Sequence, residues 1–268
     1  MSFLHPLNKP ANPALPPATP SYSVTYHDKF NSILRLFFNQ LQNAFDNLLG
    51  PNGGQFVDCP YGVFFSTQNQ VYAANDTAYA VRFDRTYLSN AVRLRLVTAG
   101  AFVVGVTYII RTAGTTNFVA IGAANNNVGT IFTATGVGSG TGVAAATTQI
   151  EALVNGVYNF QYTGQVYTNT GSKVEVALWL ARNGTNISYS TRLNTIASNN
   201  HYFELFWNFD IDLVEGEWVE LKTSIDDHAP NIELRAFAAA TPYPSGASSV
   251  LTVNFVAPLP DPRPTLPP

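Results

Sequence analysis

The chain has 268 residues, 46% hydrophobic and 12% charged, with a formal net charge of −3. That balance excludes the basic footprint of a nucleic-acid-binding surface, and a single cysteine, Cys59, excludes an internal disulfide framework or a cysteine-based zinc site. No apolar run reaches the ~18 residues of a membrane-spanning helix, and the opening MSFLHPLNKP lacks the long apolar stretch of a secretory leader.

Proline is concentrated at both ends. Pro6, Pro10, Pro13, Pro16, Pro17 and Pro20 fall in the first 20 residues, and six more in the last 11. Each removes a backbone donor and fixes φ, so residues 1–27 and 258–268 are expected to run extended rather than join a helix or a central strand. Such a segment either trails free or clamps a partner; the functional reading of 1–27 is an anchoring arm.

Residues 28–50 form the one convincing long helix. Phe30, Leu34, Phe37, Leu41, Ala44 and Leu48 are spaced 4, 3, 4, 3 and 4 apart, a heptad seam. Asp28 is placed to cap its start and Gly50-Pro51 to end it. Ile33, Phe38 and Phe45 flank the seam where a two-stranded coil carries charge, while Arg35, Asn39, Gln42, Asn43 and Asp46 occupy the other face. No second helix of this character occurs. The apolar face is therefore covered either by copies of itself, with a trimer the expected state, or by the β region of its own chain.

From residue 55 the pattern turns to period two, and 51–148 reads as a β-rich shaft or middle region. Strands are expected at 78–83, 92–97 and 102–110. Residues 112–150 contain no charged side chain, and their glycines and the Asn run at 125–127 argue against a helix. A neutral stretch this rich in Val, Ile and Phe is expected to be packed within a larger assembly.

Residues 149–257 have the clearest β rhythm, with strands expected at 156–165, 173–180, 202–208, 218–224, 232–238 and 249–256. Asn183-Gly184 predicts a two-residue hairpin into 187–189. Short strands at this spacing indicate a sandwich or jelly roll, so the fold class is mainly β.

Residues that carry chemistry are sparse. His5, His27, His201 and His228 are not at metal-ligand spacing. The run GVGSGTG at 136–142 has no helix after it and makes no phosphate cradle. Asp210, Asp212, Glu215, Glu217, Glu220, Asp226 and Asp227 surround a turn at Gly216. They read as solvent-facing positions, with a calcium site or a carboxylate pair as the alternatives. No catalytic, cofactor-binding or metal-ligating residue is assigned, and the chain is not expected to be an enzyme. The Asn, Thr, Tyr and Trp-rich surface expected around 167–172 and 189–202 suits carbohydrate or protein contacts.

Two resemblances follow from these residues. Gly156-x-Tyr158-x-Phe160 and Leu213-x-x-Gly216-Glu217-x-Val219-x-Leu221 resemble the jelly-roll head of the complement/tumour-necrosis-factor superfamily over residues 149–257. The closing SSVLTVNFV departs from that superfamily's usual ending. The Pro-rich start, YHDKFNSILRLFFNQLQNAF, GGQF-x-x-x-PYGVFF and GTTNFVAIGAANNNVGTIFTATGVGSGTG are similar to segments of tailed-bacteriophage structural proteins. The resemblance implies a homotrimeric virion fibre or appendage, assembled in the host cytoplasm. The arm would contact other virion proteins, and the head would face a host glycan or protein. The alternative it leaves open is a head-decoration, cement or connector protein without receptor binding. No cofactor, nucleic acid or membrane insertion is implied.

Overall fold

The computed structural model describes residues 12–17, 20–49, 59–169, 173–197, 201–228 and 232–259. The chain divides into two units, Met1–Cys59 and Pro60–Pro268.

In the first unit a single helix, α1 (Val24–Leu49), runs for 26 residues, about 39 Å at ~1.5 Å per residue. It begins four residues before the expected Asp28. Ser23 is the physical reason: its hydroxyl accepts from the Tyr26 amide at 3.3 Å and its carbonyl from the His27 amide at 3.1 Å, so the first turn closes on it. Tyr26 stacks on Phe30 and donates its hydroxyl to the Pro16 carbonyl at 3.3 Å. The Pro-rich segment is thereby tied to the start of the helix. Pro6, Pro10, the expected stop at Gly50-Pro51 and the Leu48 side chain lie outside the described residues.

The second unit is built of antiparallel sheets. One sheet contains β1 (Tyr61–Ser66), β2 (Gln70–Val71), β4 (Arg85–Asn90), β9 (Gly156–Thr168), β13 (His201–Leu213), β15 (Glu233–Leu234) and β16 (Ser249–Ala257). The other contains β3 (Tyr79–Ala80), β5 (Val92–Thr98), β6 (Thr107–Thr112), β7 (Ile131–Thr133), β8 (Val143–Ala152), β10 (Val174–Arg182), β11 (Thr185–Asn186), β12 (Arg192–Ile196) and β14 (Trp218–Ile225). In the first sheet β9 is central. It pairs along its whole length with β13, and on its other edge with β16 and β15.

Alternation explains the packing. Val174, Val176, Leu178 and Leu180 of β10 point inward, as do Tyr158, Phe160, Tyr162 and Val166 of β9, so that both sheets contribute to one apolar core. Asn183 (φ 49°) and Gly184 (φ 85°) form the tight β10–β11 turn that their sequence predicts. The ion pair Arg182–Asp212, at 2.7 Å, ties β10 to β13 across the two sheets.

The uncharged stretch at 112–150 is packed within its own chain, folded over one face of its own sheet. Phe118, Ile121, Ala123, Phe132 and Ala134 pack there with Phe102, Tyr108 and Ile110 into a second core. Phe132 meets Phe102 and Phe118 nearly edge-on. Gly142 allows the closure: a Cβ there would meet the Ala113 carbonyl and the Phe118 ring at 2.7 Å. β8 lies between the two cores, and the division expected at 148/149 falls inside it. The strand expected at 102–110 begins only at Thr107, since a turn at Gly105 (φ 86°) intervenes.

Two enclosed phenols give the core a dependence on pH. The Tyr72 hydroxyl shares a hydrogen bond with Thr223 at 3.0 Å, and Tyr162 one with Ser249 at 3.1 Å. Burial pushes the Tyr72 pKa up from 10.0 to about 12 against the smaller opposing effect of Thr223, and raises Tyr162 for the same reason. Unfolded, both release their protons near pH ~10, so above that pH the unfolded state binds fewer protons than the native one. Stability is complete below that value and is lost as pH rises toward the folded pKa. The melting temperature of the chain should hold to about pH 10 and fall beyond it; Tyr72→Phe should soften the fall, as followed by circular dichroism.

Candidate functional site

The expected assembly residues lie on one stripe of α1. Phe30, Leu34, Phe37, Leu41 and Ala44 are half-buried together with Ile33, while Arg35, Asn39, Gln42 and Asn43 are exposed. No described side chain of the helix is fully buried. Phe38 and Phe45 remain 58% and 50% exposed, and Leu36, which the seam does not include, is 61% exposed. Full burial of a large apolar side chain contributes roughly 1.5–3 kcal/mol, so this stripe leaves several such contributions unused. Of the arm residues, Pro13 and Pro16 are half-buried and Pro17 and Pro20 exposed.

The acidic residues of the second unit are dispersed among separate partners. The Asp210 carboxylate accepts from the Asn159 amide at 2.6 Å, and Asp212 pairs with Arg182. Glu217 caps its own turn by accepting from the Val214 amide at 2.9 Å, and Asp226 accepts from the Glu175 amide at 2.7 Å. Among the described residues no three His, Cys, Asp or Glu side chains gather into a metal-holding group.

Rather than facing solvent, Glu220 is buried, and Asp212 and Glu217 are half-buried. Glu220 lines a cleft of about 470 Å³ with Tyr79, Arg82, Thr107 and Lys222. Its carboxylate is held by the Lys222 ammonium at 2.7 Å, the Thr148 hydroxyl at 3.1 Å and the Gln149 amide at 3.3 Å. Three donors thus hold its two carboxylate oxygens in place. Among the described residues lining the cleft it is the one carboxylate, where glycoside hydrolysis calls for two.

A different concavity, of about 410 Å³, lies over the outer face of β10. It is lined by Ala177 and Trp179 of that strand, by Asn186 of β11, and by Ile187, Ser188, Tyr189 and Thr191 of the turn that follows. Two buried anchors fix this turn. The Ile187 amide donates to the Leu180 carbonyl at 2.9 Å, and the Ser190 hydroxyl donates to the Ile187 carbonyl at 2.7 Å while accepting from the Leu180 amide at 3.1 Å. The Trp207 indole donates to the Ser190 carbonyl at 3.3 Å. Between the anchors, Tyr189 stands 79% exposed with φ at 62°.

Left-handed backbone at a bulky residue costs about 1–3 kcal/mol, and persists where the surroundings enforce it. Here the anchors on either side enforce it. The contact-prone surface expected from composition covers 167–172 and 189–202; Tyr189 opens the second range, and Trp179 on β10 lies outside both. Because Tyr189 buries little and its backbone favours glycine, Tyr189→Gly should leave the melting temperature unchanged or raise it by the equivalent of about 1 kcal/mol, measurable by calorimetry. No protein-family model matches the chain, and no curated protein matches its sequence.

Proposed function

We propose that the protein is a structural component of a bacteriophage virion: a homotrimeric fibre or appendage. Residues 1–27 anchor it to the particle, α1 gathers three chains, and the β unit, read as a jelly-roll head that includes 149–257 together with the earlier strands paired to it, faces outward for attachment to a host surface. One observation carries the reading, the apolar stripe of α1, on which no described side chain is fully buried. A stripe of a and d positions broadened by Ile33, Phe38 and Phe45 is wider than one partner helix covers, which favours three strands over two. The Pro-rich segment, poor in backbone donors, suits an arm lying in a groove of another subunit. The long antiparallel β9–β13 pair and the core shared by both sheets support the jelly-roll assignment.

Sedimentation tests the assembly. Leu34→Glu combined with Leu41→Glu places two charges per chain in the seam, and the double variant should sediment as a monomer with its β circular dichroism retained. An intact trimer in that variant removes α1 from the assembly role. Deletion of residues 1–20 should leave a folded trimer that no longer incorporates into particles, scored by its absence from purified virions; normal incorporation reduces the arm to a passive tail.

A further inference from the structure

The turn that follows β11 is built with more care than a connection between short strands requires. Ile187 and Ser190 hold it from both ends, and the strain between them is spent on presenting one aromatic side chain. Trp179 lies on the same concavity, and its indole N–H is already donated to the Asn186 side-chain oxygen at 2.9 Å. What Trp179 offers a ligand is therefore its ring face.

We propose that the groove between Trp179 and Tyr189 is a binding site for a neutral saccharide. This deepens the host-attachment reading above and rests on it. None of the described lining residues carries an ionised side chain, so the groove itself offers an acidic or basic ligand no counter-charge; the charged Arg192 follows the lining residue Thr191. The nearby Lys222, which pairs across the sheet with Trp179, has its ammonium neutralised by Glu220. Sugar rings carry C–H faces made slightly positive by their oxygens, and the electron-rich faces of Trp and Tyr attract them. Asn186, Ser188 and Thr191 supply amide and hydroxyl groups at the rim for the sugar's equatorial hydroxyls. Because the turn is fixed before binding, little ordering entropy is lost. A weak single site is enough when three linked copies act on one surface.

The test uses the full chain on a printed panel of neutral and acidic oligosaccharides, followed by calorimetric titration with the strongest neutral binder. At least one neutral saccharide should bind, and Tyr189→Gly and Trp179→Ala should each weaken it about tenfold or more. Tyr87→Ala, which removes an exposed ring from β4, should bind as the native chain does. If Trp179→Ala fails to fold, Tyr189→Gly decides alone. Binding confined to acidic saccharides, no saccharide bound, or undiminished binding by Tyr189→Gly overturns the site. Assembly is scored separately by sedimentation. A trimer without saccharide binding retires the site alone, and a monomer that binds per subunit retires the assembly reading alone.

Discussion

The constraint on which the second unit rests is that β8 has no face to give to water. Ala145 and Ile150 enter the core shared by the two sheets, while Ala144 and Ala146 enter the aromatic core on the opposite side. A strand filled on both faces leaves little room for long side chains and none for an unpaired charge, which explains why three alanines follow one another there. The polar residues that follow, Thr147, Thr148 and Gln149, are buried as well, and their side chains donate to the Thr107 carbonyl or to Glu220. The ion pair of Glu220 with Lys222 thus serves the strand at the centre of the sheet. Losing a partner there would strand a buried charge, at a cost of several kcal/mol.

The first unit presents the opposite situation. Its helix has a well-formed cap and a continuous apolar stripe, yet no described side chain on it is fully buried. Isolated helices in water draw little stability from propensity alone and depend on packing of their apolar face. A helix with Phe at two seam positions and two more on its flank has the hydrophobic surface that such packing uses. The β unit encloses two apolar cores, whereas no described side chain of α1 is fully buried.

What the sequence made legible follows the same physics. A strand buried on one face alternates, and residues 156–165, 173–180, 218–224 and 249–256 were each readable as strands for that reason. The helix was readable from its 3–4 spacing, but its start was not: Val24 and Thr25 are poor helix formers, which drew attention past Ser23 to Asp28. β8 was hidden because burial on both faces erases alternation, and β4 because an exposed edge strand never acquires it. The hairpin expected at Asn183-Gly184 already brings residues near 188 back toward Trp179; what was not readable is the turn itself, since Tyr189 adopts positive φ although nothing in its residue type asks for it.

The sheets also bear on where a copy of the chain would approach. Among the described residues β13 pairs only with β9, so thirteen residues of strand lie at an edge, the usual route to unwanted pairing. Its outward side chains include Glu204, Asn208 and Asp210, and a ladder of amides crosses from it to β9. The Asn159 amide donates to Asn208 and Asp210 at 2.6 Å, and the Gln161 amide to Asn159 at 2.8 Å. Groups already bonded to one another gain little from a partner, and aligned carboxylates on two copies would repel. Phe206 and Tyr202 are exposed on the same face, separated by Glu204. An association driven by apolar burial therefore gains more at α1 than at this edge.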